Sequence, residues 1–350
     1  MISFYNLTLN DLEMFLEDNG LKKFRAKQIF KWVYEKRITS FDKMTDLSKD
    51  TIKLLKDNFI IDKFKIKRKQ VSKDGTVKFL FEIKEDEYIE SVLMKFNYGY
   101  SACISTQLGC NMGCKFCASG LLKKQRNLEA SEIVLQVLMI MDYLYKEEDI
   151  RLSNIVVMGT GEPFDNYDNL LKALSIINCP YGIEIGARHI SISTCGLSDK
   201  IKEFADGKYQ YNLAISLHAA NDDLRTSLMP VNNKYNLKSL FDSLKYYLKL
   251  NNRRLTFEYI LLDDVNNTLK DAKDLSKLLK GMNAYINLIP YNEVSENSYK
   301  SVSDEKALIF YDMLKKEGLS VTLRQKRGVN IDAACGQLRA KEYKKWNIVV

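Results

Sequence analysis

The first part of the chain has the apolar spacing of short helices. Between residues 9 and 57, apolar side chains recur every three or four positions, and this pattern predicts three helices. Asn10 or Asp11 can cap the first helix and Gly20 can end it, while Ser48 can cap the third. The pattern therefore predicts a compact helical unit at the N-terminal end.

A different pattern begins near Phe64 and continues to Phe96, where short alternating runs predict strands. Asp74-Gly75 is a hairpin turn signal between two such runs. In the first run after the turn, one set of alternate positions is apolar: Val77, Phe79 and Phe81. The positions between them hold Lys78, Leu80 and Glu82. A further strand is expected across Tyr88–Phe96.

From about residue 100 the chain alternates between strands and helices. The predicted strands are Ala102–Thr106, Asn154–Met158, His189–Ser193, Asn212–Leu217, Leu255–Leu261 and Tyr285–Ile289, and helices between them include Ala130–Leu144, Leu237–Leu250 and Leu269–Leu279. Such alternation predicts an α/β fold with a parallel sheet covered by helices. Six strand–helix units predict an open, partial (β/α)6 barrel rather than a closed barrel of eight strands.

Small and polar residues cluster just after the predicted strands. They are Gly159, Gly161, Glu162, Ser193, Thr194, Ser216, His218, Asn266 and Asn292. Ligand sites of parallel α/β folds lie at the carboxyl ends of the strands. Any one of these residues alone is explained as an ordinary loop residue, but together they indicate one ligand-binding mouth.

Composition and charge narrow the classes of function. Apolar residues make up 46% of the 350, yet no stretch approaches the roughly 20 apolar residues that a membrane helix needs. The net charge is +8, and residues 1–70 hold 16 Lys and Arg against 10 Asp and Glu. A second basic group lies near the end: Arg324, Lys326, Arg327, Arg339, Lys341, Lys344 and Lys345. These groups favour a nucleic-acid partner, although solvated surface lysines explain the same charge.

Three closely spaced cysteines, Cys110, Cys114 and Cys117, carry the clearest chemical signal. Three thiolates on one loop can hold three irons of a cubane iron–sulfur cluster and leave the fourth iron open. A structural zinc site would need a fourth Cys or His, but the next cysteine is Cys179 and the chain has two histidines. Disulfides are not expected, because seven cysteines without an apolar signal segment are typical of a reduced cytoplasmic chain.

This cysteine loop on a partial barrel resembles the radical S-adenosylmethionine (SAM) enzymes. Phe116 precedes the last cysteine, as an aromatic residue usually does in that superfamily. Residues 159–163, Gly-Thr-Gly-Glu-Pro, are similar to the motif that holds the amino group of the bound methionine. The resemblance implies a [4Fe–4S] cluster on Cys110, Cys114 and Cys117, with SAM chelated by the open iron.

The C-terminal end resembles the RlmN/Cfr family of RNA methyltransferases. Residues 327–338, Arg-Gly-Val-Asn-Ile-Asp-Ala-Ala-Cys-Gly-Gln-Leu, carry the most specific match, and the resemblance covers nearly the full chain. Other matching segments are 103–107, 216–219 and 228–230. RlmN-type enzymes methylate C2 of an adenine in 23S rRNA and in tRNA, whereas Cfr-type enzymes methylate C8 of the same rRNA adenine. Arg327-Gly328 and Glu162-Pro163 favour the RlmN type, and Cfr-type C8 methylation is the alternative.

The target carbon explains why such an enzyme needs radical chemistry. C2 of adenine is electron-poor and has no lone pair, so it cannot attack a sulfonium methyl group. The resemblance implies that Cys335 takes a methyl group from one SAM as a thiolate nucleophile and becomes S-methylcysteine. A second SAM then gives a 5′-deoxyadenosyl radical, which makes a methylene radical on that sulfur, and this radical adds to C2. Cys103 would release the product by forming a transient disulfide with Cys335.

The resemblance also assigns the remaining site residues. Glu90 matches the family's proton acceptor, although its residue type alone is explained as a solvated strand glutamate. Seven residues are placed around SAM: Gly161, Glu162, Ser193, Ser216, Leu217 through its backbone, His218 and Asn292. Cys179 and Cys195 match no motif, and we expect them to be buried structural cysteines.

Domains and partners follow from the same resemblance. The predicted domains are a helical RNA-binding domain at 1–60, a β-hairpin extension at 61–98, the barrel at 99–325 and a tail carrying the methyl-carrier cysteine at 326–350. The implied partners are 23S rRNA and tRNA, with the target adenine splayed from its stack, and an electron donor such as flavodoxin or ferredoxin. We expect a cytoplasmic monomer without membrane association.

Two other classes of protein share part of this pattern. A radical enzyme acting on a peptide or small metabolite would share the cysteine loop, but the combination of Cys103 and Cys335 argues against it. A non-catalytic RNA-binding protein could keep the fold, but it would not need the cluster cysteines or Glu90.

Overall fold

The computed structural model describes residues 1–121, 123–294, 297–325, 327–328 and 331. The strands are β1 (Ile2–Ser3), β2 (Phe59–Ile60), β3 (Lys65–Val71), β4 (Val77–Lys84), β5 (Glu87–Phe96), β6 (Gly99–Cys103), β7 (Gln107–Leu108), β8 (Arg126–Asn127), β9 (Leu152–Val157), β10 (Ile190–Thr194), β11 (Asn212–Ser216), β12 (Leu255–Leu261), β13 (Ala284–Pro290) and β14 (Val321–Leu323). The α-helices are α1 (Leu9–Asp18), α2 (Phe24–Phe30), α3 (Lys49–Asn58), α4 (Ala130–Glu148), α5 (Tyr167–Asn178), α6 (Ser198–Asp206), α7 (Asp222–Leu228), α8 (Leu237–Leu250), α9 (Leu269–Leu279) and α10 (Asp304–Lys316). A π-helix at Lys31–Glu35 continues α2, and 3₁₀ helices lie at Phe4–Asn6, Phe41–Lys43, Ala118–Leu121, Pro163–Asn166, Ala187–His189 and Pro230–Asn233.

Ten strands form one continuous sheet in the order β14-β13-β12-β11-β10-β9-β6-β5-β4-β3. Strands β6 and β9 to β14 run parallel to their neighbours, whereas β3 to β6 pair antiparallel. In the described part of the chain, β3 and β14 form the two ends of this sheet and do not pair with each other. The predicted open, partial barrel is therefore confirmed, with β14 as an additional parallel strand.

The predicted elements of the barrel are found close to their expected positions. Helices α8 and α9 and strand β12 have the predicted bounds. The first barrel strand was expected at Ala102–Thr106 but lies at Gly99–Cys103. It ends early because the chain turns toward the loop after β9, where the amide of Thr106 donates to the carbonyl of Thr160 over 2.9 Å.

The N-terminal helices form a unit with an aromatic core. The buried ring of Phe4 lies at its centre, within 6.3 Å, centroid to centroid, of four other buried rings: Phe30, Tyr34, Phe41 and Phe59. The unit is joined to α4, because the amide of Ser131 donates to Asn6 over 2.8 Å and Arg37 pairs with Asp142 at 3.0 Å. No helix in the described residues is long and apolar enough to cross a membrane.

The cap of α1 differs from the prediction. Thr8, rather than Asn10 or Asp11, is the N-cap, and its hydroxyl accepts from the amide of Asp11 over 3.1 Å. Asp11 accepts in return from the amide of Thr8 over 3.0 Å, which completes a capping box. The other two signals are confirmed: Ser48 caps α3, and Gly20, at φ +73°, follows the end of α1.

Strand β4 is buried on both faces through Phe81. One face packs against α4, where the rings of Phe79 and Tyr143 lie 5.2 Å apart. The other face carries Lys78 and Leu80, and both are fully buried. The alternation in β4 therefore does not separate a buried face from a solvated one, and a lysine enters the interior.

Replacing Thr8 with alanine should destabilise the fold by about 1 kcal/mol, because the amide of Asp11 loses its acceptor. Asn10→Ala is the matched control, since Asn10 is exposed on the same helix and should change stability by less than about 0.5 kcal/mol. Thermal unfolding followed by circular dichroism compares the two. Equal shifts in Tm would contradict the capping assignment.

Candidate active site at the carboxyl ends of the parallel strands

A cavity of about 620 Å³ opens at the carboxyl ends of the parallel strands. It brings together most of the residues that the sequence predicts for the site: Glu90, Cys103, Cys110, Cys114, Cys117, Gly161, Glu162, Ser193, Ser216, His218 and Asn292. These residues come from the extension, the cysteine loop and five barrel segments. The geometry therefore unites groups that lie far apart in the sequence.

The cysteine loop is held in place by three other segments of the chain. The amide of Lys115 donates to the carbonyl of Leu228 over 2.9 Å. The carbonyl of Phe116 accepts from the Tyr291 hydroxyl over 3.1 Å, and that of Lys115 accepts from Asn297 over 3.3 Å. Backbone groups make these contacts, so the thiols themselves stay available at the cavity wall.

The three thiols lie close enough to influence one another electrostatically. Burial raises the pKa of Cys110 to about 12, and the neighbouring Cys117 contributes to the increase. Burial also raises the pKa of Cys114 well above its usual range, with further contributions from Cys117 and Cys110. In the described residues, no three His, Cys, Asp or Glu side chains have the close spacing of a single-ion site. A cubane cluster binds each cysteine through a different iron, so its ligands need not converge on one point.

The Gly-Glu segment after β9 also lines the cavity. Gly161 has φ +109°, and a Cβ atom there would lie 2.6 Å from the Cβ of Gln107, so only glycine fits. The Glu162 carboxylate accepts from the amides of Phe164 and Cys195 over 3.0 Å and 2.8 Å. Burial raises the pKa of Glu162 despite these hydrogen bonds. The result is a buried, fixed carboxylate that faces the cavity.

His218 follows β11 in the left-handed region, at φ +60°. Its Nδ1 accepts from the amide of Ile260 over 3.1 Å, and its ring meets Phe116 edge-on with centroids 4.9 Å apart. Burial, with a smaller contribution from Arg225, lowers the pKa of His218 to about 3. The imidazole is therefore neutral at physiological pH and links the cysteine loop to the barrel.

Three of the predicted site positions lie off the cavity wall. The amide of Leu217 donates to the carbonyl of Glu258 over 3.1 Å, and its side chain is fully buried. Asn266 donates to the carbonyls of His218 and Ile260 and accepts from Leu262, so it stabilises a loop. Thr194 is also fully buried, and its hydroxyl accepts from the amide of Gly196.

The extension and the first barrel strand each bring one reactive group to the same cavity. Glu90 on β5 is 2% exposed, so the interpretation as a solvated strand glutamate is wrong. Cys103 ends β6, where burial raises its pKa to about 11. Charges on Lys78 and Arg324 lower that pKa and the charge on Glu90 raises it, so these three side chains lie near the thiol.

Comparisons with known proteins agree with this geometry. The model for the ribosomal RNA large subunit methyltransferase N-terminal domain matches residues 2–61, and the radical SAM superfamily model matches residues 104–276. A Streptococcus sanguinis protein named "Probable dual-specificity RNA methyltransferase RlmN" is 51% identical over 98% of this chain and 96% of its own length. An Acholeplasma laidlawii protein of the same name is 50% identical over 96% of this chain and 98% of its own.

A solved structure agrees over the same span. The crystal structure of a radical SAM methyltransferase from Sphaerobacter thermophilus has a TM-score of 0.90 and 39% identity, covering 96% of this chain and 99% of that one. The chain belongs to the RlmN family of radical SAM methyltransferases. Members of this family use a [4Fe–4S] cluster and SAM.

The residues present fit both cofactors. Three thiols on one anchored loop suit iron, which would replace the proton on each sulfur. Gly161 has no side chain, so the backbone can lie close to its neighbours beside the buried Glu162 carboxylate. That carboxylate is a suitable acceptor for an ammonium group. The cavity between these features is deep enough to bury a nucleoside-sized ligand.

Several residues of the site were not predicted from the sequence. Arg225 is fully buried and donates to the carbonyl of Cys195 over 2.7 Å and to Asn232 over 2.7 Å, so it fixes the loops beneath the cavity. Glu258 on β12 accepts from Asn287 over 3.0 Å, and burial raises its pKa. Lys78 on β4 is the third. Each lies in a segment whose pattern indicates an ordinary strand or helix, so no local sequence signal distinguishes it from a structural residue.

The remaining cysteines divide into three cases. Cys179 is buried at the end of α5, as expected. Cys195 is also buried, but it lines the cavity, and its amide positions Glu162. Cys335 lies outside the residues that the structure describes.

Replacing Cys114 with serine should abolish cluster assembly, because two thiolates cannot retain the cubane. Iron and sulfide content and visible absorbance, measured after anaerobic reconstitution, report the loss. Cys179→Ser is the matched control and should keep full iron content. A Cys114→Ser protein with the iron content of the control would contradict the ligand assignment.

Proposed function

We propose that this chain adds a methyl group to C2 of an adenine in 23S rRNA and in tRNA. The relatives that match nearly its whole length carry the name dual-specificity RNA methyltransferase RlmN. The observation that carries the proposal is that Glu90 and Cys103 line the same cavity as Cys110, Cys114 and Cys117. A cluster site alone would serve many reactions, whereas this combination suits methyl transfer through a protein sulfur.

In this proposal, Cys110, Cys114 and Cys117 hold the [4Fe–4S] cluster. Gly161, Glu162, Ser193, Ser216, the backbone of Leu217, His218 and Asn292 are assigned to SAM. When bound, these cofactors supply the one-electron chemistry that makes a methyl carbon reactive toward an inert aromatic position. Glu162 binds the amino group of SAM, since its buried carboxylate lines the cavity and lies close enough to Cys114 to contribute to the raised pKa of that thiol.

Cys335 is assigned as the methyl carrier and Cys103 as the thiol that releases the product. Support comes from the start of the tail, where the amide of Gly328 donates to Asp74 over 2.9 Å and Arg327 donates to the carbonyl of Lys95 over 2.8 Å. These bonds fix the chain beside the hairpin extension. Cys335 follows Gly328 by seven residues, an extended reach of about 23–25 Å, so its sulfur can enter the cavity.

Glu90 is assigned as the base that accepts the proton leaving C2. Its carboxylate lies in the cavity wall near Cys103, on the strand that pairs with β6. His218 is not suited to this role, because its pKa is lowered to about 3 and its Nδ1 is occupied by the Ile260 amide. A buried carboxylate is therefore the better acceptor.

The RNA is proposed to approach the rim of the cavity and the basic N-terminal unit. Arg324 and Arg327 both line the cavity, and the guanidinium of Arg327 lies 4.2 Å from the ring centroid of Phe96. Such groups bind phosphates and stack on bases. An electron donor such as flavodoxin or ferredoxin, a monomeric state, a cytoplasmic location and domain limits at 60, 98 and 325 stay predictions of the family resemblance.

The site of methylation separates the proposal from its alternative. The names of the relatives favour C2 over the C8 methylation of Cfr-type enzymes. Incubation of the reconstituted enzyme with SAM, reductant and unmodified RNA, followed by nucleoside mass spectrometry, should give 2-methyladenosine. Formation of 8-methyladenosine alone would replace the proposal with the alternative.

Cys103→Ala should trap a covalent enzyme–RNA species, because the bond to Cys335 then lacks its exchange partner. Labelled RNA that co-migrates with the protein on a denaturing gel measures the trapped species. Cys179→Ala, a buried thiol outside the cavity, should release product like the wild type. Free methylated RNA at the wild-type rate from Cys103→Ala would defeat the disulfide step.

Cys335→Ala should still cleave SAM reductively while giving no methylated RNA, because the methyl carrier is missing and the cluster ligands are intact. Chromatography of 5′-deoxyadenosine and nucleoside mass spectrometry of the same reaction give both readings. Robust methylation by this variant would refute the covalent route.

A further inference from the structure

A lysine ammonium is buried next to the proposed base. Lys78 is fully buried on β4, and its Nζ lies 3.1 Å from Oε2 of Glu90, whose side chain is 3% exposed. Moving an ammonium and a carboxylate out of water is costly, and two apolar residues of similar size stabilise a fold as well or better. The stability of the sheet therefore gives no sufficient reason for this pair at this position.

Strand register explains why the Lys78–Glu90 pair lies on the same face of the sheet as Cys103. Lys78 is directly opposite Val92, and Glu90 lies two residues before Val92 on the same face of β5. Val92 in turn is opposite Cys103 on β6. Lys78, Glu90 and Cys103 thus share one face of the sheet, and Glu90 and Cys103 line the cavity.

The charged groups around this position come from four strands or their ends. Lys78 belongs to β4, Glu90 to β5 and Cys103 to β6. Arg324 follows β14, and its guanidinium lies 3.8 Å from Glu258. Lys78 contacts Glu90 directly, whereas Arg324 lies beside a different carboxylate, that of Glu258.

We propose that Lys78 is a positioning residue for the reaction, whose ammonium holds Glu90 as a carboxylate directed into the cavity. The proposal rests on the function proposed above, because it needs Glu90 to accept the proton from C2. An ammonium 3.1 Å from a carboxylate oxygen favours the charged form of that carboxylate and fixes its orientation. Lys78 thereby keeps the base ready before the substrate arrives.

The same lysine connects the base with Cys103. While Glu90 is ionised, its charge opposes formation of the Cys103 thiolate, and Lys78 favours it. The radical adduct loses one electron to a one-electron acceptor such as the iron–sulfur cluster, and Glu90 takes the proton from C2, which leaves a closed-shell thioether. The negative charge of Glu90 is then lost, and the charges of Lys78 and Arg324 remain. Cys103 then attacks the Cys335 sulfur: the new S–S bond replaces the C–S bond, both sulfurs are oxidised, and the released methylene carbon is reduced and gains the Cys103 proton.

The test is the pH dependence of single-turnover formation of methylated adenosine, with Lys78→Met and Lys78→Arg compared with wild type. Lys78→Met removes the charge that pairs with the Glu90 carboxylate at 3.1 Å. The acid limb of the pH profile should shift to higher pH by about one unit or more. The rate at pH 7 should fall by about tenfold or more, and higher pH should partly restore it. Lys78→Arg keeps the charge and should keep the limb near its wild-type position.

Lys172→Met is the matched control, because Lys172 pairs with Asp11 at 3.0 Å, outside the cavity. Its profile should equal that of the wild type. A loss in Lys78→Met that is uniform across pH would identify a purely structural role and overturn the proposal. A wild-type enzyme that methylates no adenine would instead refute the proposed function, so the two failures are distinguishable.

Lys78→Met can fail to fold, as judged by circular dichroism and iron content, because it leaves Glu90 buried without this partner. In that case a double variant that removes both charges tests the pair. Lys78→Met/Glu90→Gln should fold and be as active as Glu90→Gln alone, because the lysine acts through its carboxylate. A double variant at least tenfold less active than Glu90→Gln would overturn the proposal.

Discussion

The arrangement of the site depends on the two hydrogen-bond ladders of strand β6. On one side β6 pairs antiparallel with β5, and on the other it pairs parallel with β9. The extension is therefore part of the barrel sheet. Because Cys103 is opposite both Val92 and Val156, the register fixes the base and the release thiol relative to the barrel mouth.

This continuity shapes the electrostatics of the cavity. Glu90, Cys103 and the buried carboxylate of Glu162 line the cavity, and Lys78 pairs with Glu90 behind the lining. Burial raises the pKa of Cys103 and Cys110, although the charges of Arg324 and Lys78 lower the pKa of Cys103. Iron bound by Cys110 would favour the thiolate of that cysteine.

The sequence was most informative about elements and motifs. Helices α8 and α9 and strand β12 have clear periodicity, and their bounds were predicted correctly because local pattern and final packing agree. The polar residues after the strands were expected at one mouth, and seven of the nine line it. Asn266 and Thr194 do not, because loop hydrogen bonds use their side chains.

Tertiary contacts account for what the sequence did not reveal. By its alternating position in β4, Lys78 looks like a residue on a solvated face. That second face of β4 is nevertheless buried. Arg225 looks like a surface residue of a short helix, yet three loops enclose it. Thr8 was missed as a cap because the helix begins at Leu9, two or three residues before the start that a cap at Asn10 or Asp11 implies.

The most direct test of the account is the isotope content of the product made from SAM with a trideuterated methyl group. If the carbon passes through a methylene on a protein sulfur, one deuterium is removed before the bond to C2 forms. The account predicts a methyl group on C2 with two deuterium atoms and one hydrogen. Product that retains all three deuterium atoms would show direct transfer of an intact methyl group and would contradict it.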